Sequence, residues 1–347
     1  MITCKFDEKH NGIYFGVIMK KNDNIRVFER DNYYLLFNKK TKKSFTLGKK
    51  EYEFWDSLDG SDFNKFDSPY SNSEKKELMR IFEEAGLLQN SEGHLKLQGK
   101  YKKALLCPEF FLDRHKLLIQ LYWWLMIIGL VAVIPAIFLC DFEDINNIII
   151  KYANVETGMV GVVFVIIALS FHELSHALIA KKNGAVVPEI GIMINFILPC
   201  AYTTVCDSRN ISTRRKKIMV ALAGMGGNIL LITVGLYLYL FSKDESLRFL
   251  CIEFVFANII PIVGNINIFY RDDSYVIIES LLGVRDLKQS AKDYLIAVLK
   301  NMKYKNSDGV DYLTSLILII YAVGAYINEL LFPFIIIFLL ILTYVKI

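Results

Sequence analysis

The order of apolar and polar residues divides the chain into a mixed N-terminal third and a largely apolar remainder. After residue 104, apolar runs alternate with short polar segments. Most of these runs approach the roughly 20 residues that a helix needs to cross a bilayer. We therefore predict a mainly α, polytopic membrane domain over residues 105–347. Its six predicted transmembrane helices are Leu117–Cys140, Gly158–Ala180, Ile218–Phe241, Leu247–Phe269, Asp311–Ile327 and Glu329–Val345.

Charged residues predict which side of the membrane each loop faces. The segments 96–116 and 209–217 are rich in lysine and arginine, and short basic loops of this kind stay in the cytoplasm. The mostly acidic loop 141–157 is predicted to lie outside. Six spans place both termini in the cytoplasm of a multi-pass cell-membrane protein. In the fourth span, Glu253 is expected to pair with Arg248.

The second predicted span contains the pattern His-Glu-x-x-His at His172, Glu173 and His176. At 3.6 residues per turn, the two histidines project from the same face of a helix. Imidazoles at that spacing bind one zinc ion, and the glutamate lies beside the metal as a general base for water. A polar patch packed against another helix is the alternative. Ionisable groups inside a span carry a desolvation cost, however, and usually serve function.

A catalytic zinc ion needs a third protein ligand and one open position for water. The second and fourth spans run in the same direction, so the adjacent Asp272 and Asp273 reach the same leaflet as the histidines. Spacing alone does not choose between these two aspartates. Asn228, in the glycine-rich part of the third span, either reaches this site or hydrogen-bonds to a neighbouring helix.

The apolar segment Val186–Tyr202 is interrupted by two prolines and a glycine. Irregular backbone at membrane depth must be sheltered by protein, so this segment is predicted to be a hairpin or re-entrant segment rather than a span. Such a segment would offer a strand edge to an extended substrate.

Residues 1–104 show shorter patterns, which are typical of a small soluble α+β module of winged-helix type. Its predicted strands and first helix are Val27–Arg30, Tyr33–Phe37, Ser44–Gly48 and Lys50–Leu58. Ser73 is the predicted N-cap of a second helix, Glu74–Ala85, which Gly86 ends.

The composition agrees with a membrane protein, because 54% of the residues are hydrophobic and the mean hydropathy is +0.34. The net charge is only +4, so no nucleic-acid partner is expected and the lipid bilayer accounts for the lysines. The start of the sequence has no apolar stretch, and no cleavable signal peptide is predicted. The six cysteines form no Cys-x-x-Cys pair, and Cys200 and Cys206 are expected to be small hydrophobic residues rather than ligands.

The membrane part resembles the site-2 protease family of intramembrane zinc metalloproteases, in particular its peptide-maturation branch. The resemblance rests on His-Glu-Leu-Ser-His at 172–176 and on a second family pattern, Asn-x-x-Pro-x-x-x-x-Asp-Gly. Asn265 and Asp273 match the second pattern, whereas Ile268 and Ser274 replace its proline and glycine. Serine tolerates fewer backbone conformations than glycine, so Ser274 is expected to shift the loop that presents the aspartate.

This resemblance assigns a role to each candidate site residue. It implies that His172, His176 and Asp273 hold zinc and that Glu173 is the catalytic base. Asn228 and Asn265 are expected to hold the substrate backbone or the developing oxyanion.

The N-terminal domain resembles the small peptide-recognition domains of PqqD type, which bind a leader peptide as an added strand. The matching residues are Leu47-Gly48, Phe54-Trp55, Asp59-Gly60 and Glu83–Leu88. The expected function is therefore zinc-dependent hydrolysis of a peptide bond in a ribosomally made precursor peptide or small membrane protein, as in bacteriocin maturation. A peptide-modifying enzyme or an exporter is a further expected partner.

Two alternative functions stay open. The first is regulated intramembrane proteolysis of a membrane-tethered regulator, which the lack of a PDZ-like insertion disfavours. The second is a non-catalytic component of peptide export or immunity. The intact Glu173 argues against the second, because a peptide-binding protein has no use for a base at this position.

Overall fold

The computed structural model describes residues 20–30, 32–58, 70–89, 102–153, 155–195, 198–206, 213–270, 272–284, 286–300 and 315–329. The chain divides into two compact units, Met1–Tyr101 and Lys102–Ile347. The predicted sixth span lies outside the described residues apart from Glu329.

The first unit is a three-stranded antiparallel sheet with two helices. Its elements are β1 (Ile25–Arg30), β2 (Tyr33–Asn38), β3 (Lys43–Leu47), α1 (Lys49–Asp56) and α2 (Asn72–Glu84). The middle strand is β2, which leaves β1 and β3 as the outer strands. Phe54, Trp55 and Phe82 pack with leucines in its core, and Trp55 Nε1 donates a 3.1 Å hydrogen bond to the Leu87 carbonyl.

Helix α2 begins at a capping box formed by Ser71 and Glu74. Ser71 Oγ accepts a hydrogen bond from Glu74 N, and the Glu74 carboxylate accepts one from Ser71 N at 2.8 Å. Hydrogen bonds from the Ser71 side chain and backbone also lower the pKa of Glu74. The predicted cap at Ser73 was wrong, because a capping box places its glutamate three residues after the cap.

The second unit contains four helices that are long and apolar enough to cross a membrane. It begins with β4 (Lys102–Leu106) and a short helix, α3 (Glu109–Arg114). The helices that follow are α4 (Lys116–Leu139), α5 (Phe142–Tyr152), α6 (Val155–Lys182), α7 (Arg214–Phe241) and α8 (Glu245–Asn265). Of these, α4, α6, α7 and α8 match the first four predicted spans and confirm a mainly helical membrane protein.

Three shorter helices complete the described part of this unit. They are α9 (Asp273–Leu282), α10 (Leu287–Leu299) and α11 (Ser315–Glu329). The predicted fifth span overlaps α11, which begins and ends later than predicted and is shorter than the four long helices.

Helix α5 lies in a segment that was predicted to be a loop. Asp141 caps it, and Asp144 in its first turn pairs with Arg248 of α8, with Nη2 and Oδ2 2.5 Å apart. The predicted pair between Arg248 and Glu253 was therefore wrong. Arg248 pairs instead with Asp144, which lies on α5, a helix that the sequence did not predict.

Helix α7 packs against α4, α6, α8 and α9. Its glycines let side chains of α4 and α6 approach its backbone closely. A Cβ atom at Gly226 would lie 2.7 Å from Met126 Sδ, and one at Gly227 would overlap Ser175 Oγ. Tyr122 of α4 donates a 2.6 Å hydrogen bond to the same Ser175 hydroxyl. The glycine-rich stretch thus lets α4 and α6 pack tightly on α7.

The second unit also contains a three-stranded sheet. Two of its strands follow α6, the helix that carries the His-Glu-x-x-His motif and is called the motif helix below. The interrupted apolar segment forms β5 (Val186–Asn195) and β6 (Leu198–Cys206), which confirms the predicted hairpin. The sheet order is β4-β5-β6, and β4 comes from a basic segment in which no strand was predicted. Gly191 permits this pairing, because a Cβ atom there would overlap the backbone of Lys103.

A buried ionic cluster joins α3, α6 and β5. The Glu109 carboxylate binds the Lys181 ammonium group through one oxygen and accepts a 2.7 Å hydrogen bond from Val187 N through the other. Lys181 also pairs with Asp113 at 2.5 Å. The cluster therefore anchors the end of the motif helix to the strand that begins the hairpin.

Candidate metal centre

Two histidines of α6 lie side by side, one helical turn apart. His172 and His176 are 3% and 7% exposed, and their ring centroids are 4.8 Å apart. Both side chains face α7, where each finds a hydrogen-bond partner. The helix thus presents the two imidazoles on one buried face, as the spacing predicted.

Asp273, the first residue of α9, joins the two histidines. Its Oδ2 atom lies 3.1 Å from His172 Nε2 and 3.0 Å from His176 Nε2. One ligand atom from each of these three residues lies within 4.8 Å of the others. Asp272 is the exposed N-cap of α9 and is not part of this group. The geometry thus distinguishes the two aspartates that spacing alone did not.

Ser274, which stands next to Asp273, has ordinary helical backbone. It is the second residue of α9, and Lys42 and Asp286 are the only non-glycine residues with positive φ in the described parts of the chain. Position 274 therefore needs no conformation that is reserved for glycine. The helix begins at Asp273 and leaves no loop at Ser274, so the structure shows no backbone strain that would shift the aspartate.

The Nδ1 atoms of both histidines are held by α7. His176 Nδ1 donates a 2.7 Å hydrogen bond to the Val220 carbonyl, and His172 Nδ1 lies 2.6 Å from Asn228 Oδ1. An amide oxygen and a carbonyl oxygen only accept hydrogen bonds, so both rings carry their proton on Nδ1. Metal-binding histidines are commonly oriented in this way by a group behind the ring.

This arrangement also places Asn228 behind His172. Asn228 is fully buried, and its Nδ2 atom donates to the Ala168 carbonyl at 3.1 Å and to Asn258 Oδ1 at 3.0 Å. Both amide hydrogens are therefore used. Asn228 thus orients His172 and links α7 to α6 and α8. In this position it has no amide hydrogen left for the expected contact with substrate.

The donor set fits a zinc ion. In a neutral ring that is protonated on Nδ1, the Nε2 atom presents a lone pair to the Asp273 carboxylate, so three acceptors face one another when both rings are neutral. A divalent cation satisfies all three. Their 3.0 and 3.1 Å separations are near the roughly 3.3 Å between ligand atoms of a tetrahedral zinc ion with bonds of about 2.0 Å.

Gly224 provides the space beside this donor set. A Cβ atom at this position would overlap the Nε2 atoms of both His172 and His176. The stretch Ala223–Asn228 is rich in glycine, and one of its glycines lies against the imidazoles. Only the packing of α7 on α6 reveals that role, since several glycines occur in this stretch.

Glu173 follows His172 on α6 and is half-buried. Its backbone carbonyl accepts a 2.8 Å hydrogen bond from Thr203 Oγ1 of β6. This contact places the outer strand of the hairpin directly beside the predicted catalytic base. The sequence placed both elements near the site but did not indicate which strand would contact the motif helix.

Asn265, the last residue of α8, lies next to His172. Its Nδ2 atom is 3.4 Å from His172 Nε2 and donates a 2.9 Å hydrogen bond to the Pro261 carbonyl. Unlike Asn228, it is partly exposed. Its position agrees with the predicted role as a hydrogen-bond donor near the reacting groups.

Cys206 is buried at the end of β6 and is not part of the group of metal-ligating residues. The side chain of Cys200 lies outside the described residues. Asn258 is fully buried next to Asn228, although nothing in its own sequence context indicates a link to the centre.

The family model described as "Peptidase family M50" matches residues 160–345, which is more than half of the chain. The matched region contains both histidines, Glu173, Asn265 and Asp273. No curated protein and no solved structure matches the chain.

Proposed function

The chain belongs to peptidase family M50, and on this premise we propose that it is an intramembrane zinc metalloendopeptidase. The observation that carries this proposal is the meeting of His172, His176 and Asp273 beside Glu173. The motif lies in a helix that is long and apolar enough to cross a membrane. A buried centre of this composition suits peptide-bond hydrolysis, because zinc and a neighbouring carboxylate are what that reaction needs.

The residues divide the reaction between them. Zinc, when held by His172, His176 and Asp273, polarises the substrate carbonyl and makes water more acidic. Glu173 accepts a proton from water as the water oxygen bonds to the carbonyl carbon. The same group then donates that proton to the amide nitrogen as the carbon–nitrogen bond breaks, which yields a carboxylic acid and an amine; transfer of the acid proton to the amine leaves a carboxylate and an ammonium group. Asn265 supplies a hydrogen-bond donor to the developing oxyanion.

We propose that the substrate binds in an extended conformation along β6. This strand is the outer strand of its sheet, and its Thr203 is bound to the backbone of Glu173. An added strand would satisfy its backbone hydrogen bonds and place successive peptide bonds beside the base.

The proposed substrate is a ribosomally made precursor peptide or a small membrane protein, cleaved at the cytoplasmic side of the membrane. The first unit supports this choice, because its sheet ends in the outer strands β1 and β3 and it resembles peptide-recognition domains of PqqD type. A peptide-modifying enzyme or an exporter would be the natural partner of such a reaction.

Zinc content and peptide cleavage, measured on the full chain in nanodiscs, test the proposal. Glu173→Gln should keep the metal but lower cleavage by about 100- to 10,000-fold, the usual contribution of a general base. Asp273→Ala should lose both metal and activity. Asp272→Ala is the matched control and should retain both, because this neighbouring carboxylate is exposed. A wild-type protein without zinc, or equal cleavage by wild type and Glu173→Gln, would refute the proposal.

A further inference from the structure

Asn258 lies in the middle of α8 and is fully buried. It does not touch either histidine, but its amide is one step from His172 through Asn228. Two buried asparagines from α7 and α8 thus connect the metal centre to the interior of the helix bundle. Burying two amide side chains costs free energy unless their hydrogen bonds are satisfied. The pattern of these hydrogen bonds therefore shows how each amide is oriented.

The hydrogen bonds in this chain of residues all point in one direction. Asn258 Nδ2 donates to the Phe254 carbonyl at 2.8 Å, which turns its Oδ1 atom towards Asn228. That oxygen accepts a 3.0 Å hydrogen bond from Asn228 Nδ2. Asn228 Oδ1 is then left to face His172 Nδ1 at 2.6 Å.

We propose that Asn258 is a positioning residue that holds the Asn228 amide in the one orientation in which His172 offers its Nε2 lone pair to zinc. The inference rests on the proposed function, since it concerns the zinc ligand. If the Asn228 amide turned over, its NH2 group would face His172 Nδ1. The ring proton would then move to Nε2, where it would block the metal.

Asn258 is not alone in opposing that change. The Ala168 carbonyl accepts the other hydrogen of Asn228 Nδ2 at 3.1 Å, so it also favours the observed orientation. Loss of Asn258 should therefore weaken the preference of the Asn228 amide for its observed orientation but not reverse it. His176 is independent of this chain, because its Nδ1 atom donates to the backbone carbonyl of Val220. The effect should be confined to one of the two histidines.

Zinc affinity of the full chain in nanodiscs, measured by competition with a fluorescent chelator, tests the inference. Asn258→Leu keeps the side-chain size but removes the acceptor. We expect it to weaken zinc binding by about three- to tenfold, below the 10- to 100-fold typical when a direct partner of a metal-binding histidine is lost. Asn258→Asp keeps an oxygen facing Asn228 and should restore affinity towards the wild-type value.

Thr233→Val is the matched control. Thr233 is 5% exposed, and its hydroxyl shares its one proton between the Gly129 carbonyl of α4 at 3.0 Å and the Ile229 carbonyl of α7 at 2.8 Å. Its removal costs a buried hydrogen bond between helices without touching the histidines, and zinc affinity should stay unchanged. Equal weakening by Asn258→Leu and Thr233→Val would overturn the inference, because general loosening of the bundle would explain both.

Nitrogen NMR of histidine-labelled, zinc-free protein gives a second readout, at a pH where the rings are neutral. Wild-type His172 should carry its proton on Nδ1, and Asn258→Leu should show a mixture of both tautomers for this ring alone. A wild-type His172 protonated on Nε2 would overturn the inference without any substitution. If wild type binds zinc and Asn258→Leu changes neither affinity nor tautomer, the inference fails while the proposed function stands. If wild type binds no zinc, the proposed function fails, and the tautomers still decide the role of Asn258.

Discussion

Gly224 shows how a single position can decide whether the centre has room for a metal. The Nε2 atoms of His172 and His176 lie where a side chain at this position would begin. Protein interiors are close-packed, so these rings could move aside only by giving up their hydrogen bonds to α7. The glycine is thus needed for space, independently of its backbone conformation.

Gly224→Ala should therefore lower zinc affinity by more than about tenfold, because zinc sites tolerate ligand displacements of only about 0.2 Å. Gly158→Ala is the control, since a Cβ atom there meets nothing within 4 Å. Zinc titration of both variants in nanodiscs is the measurement. Tight zinc binding by Gly224→Ala would show that the imidazoles have another arrangement available.

The residues of the centre differ in how far the sequence could predict them. His172, Glu173 and His176 follow from a local pattern, because helical spacing alone puts the histidines on one face. Asp273 required a match to a second motif. Asn258 and Gly224 act through contacts between helices, and no local pattern encodes a contact to a residue about 30 or 50 positions away.

At the scale of elements, the long helices were predictable because each carries its own signal in hydropathy. Two polar elements of the second unit, α5 and β4, were not predicted. Helix α5 is amphipathic and short, and β4 is a basic strand that pairs with β5, which comes about 90 residues later. The error about Arg248 has the same origin, since its partner Asp144 belongs to the helix that was missed.

The cluster of Glu109, Lys181 and Asp113 fixes where the motif helix meets the hairpin. The side chains of Glu109 and Lys181 are only 3% and 8% exposed, whereas that of Asp113 is 46% exposed. Removing one member of a buried ion pair is costly, because the other charge stays buried without full compensation. The cluster thus matters both for stability and for the position of β6 beside the base.

Glu109→Gln should destabilise the second unit by about 2 kcal/mol, less than the 3–5 kcal/mol typical of a fully isolated buried charge, since Asp113 remains beside Lys181. Glu245→Gln is the control. It removes a pair with Lys151 whose side chains are 49% and 60% exposed, and such pairs contribute below about 1 kcal/mol. Denaturant titration in detergent compares the two, and equal midpoints would argue against an anchoring role.

At the scale of the whole molecule, we assign recognition of the substrate to the first unit and cleavage to the second. The second unit holds every residue of the metal centre, and the first is a separate sheet-and-helix module with its own aromatic core. A module that captures a leader peptide raises the effective concentration of the attached substrate to roughly millimolar values. Recognition and cleavage would then be properties of different units.

A chain that begins at Lys102 should separate these properties, because it keeps β4 and the complete second unit. It should bind zinc as the full chain does and cleave a leaderless peptide with the same kcat/KM. The full chain should prefer a leader-bearing peptide by at least about tenfold, as expected when recognition is tethered to catalysis. Free leader peptide should inhibit only the full chain, because only that chain contains the capturing module. If the shortened chain keeps the same preference for the leader, then the second unit recognises the leader and the first unit has another role.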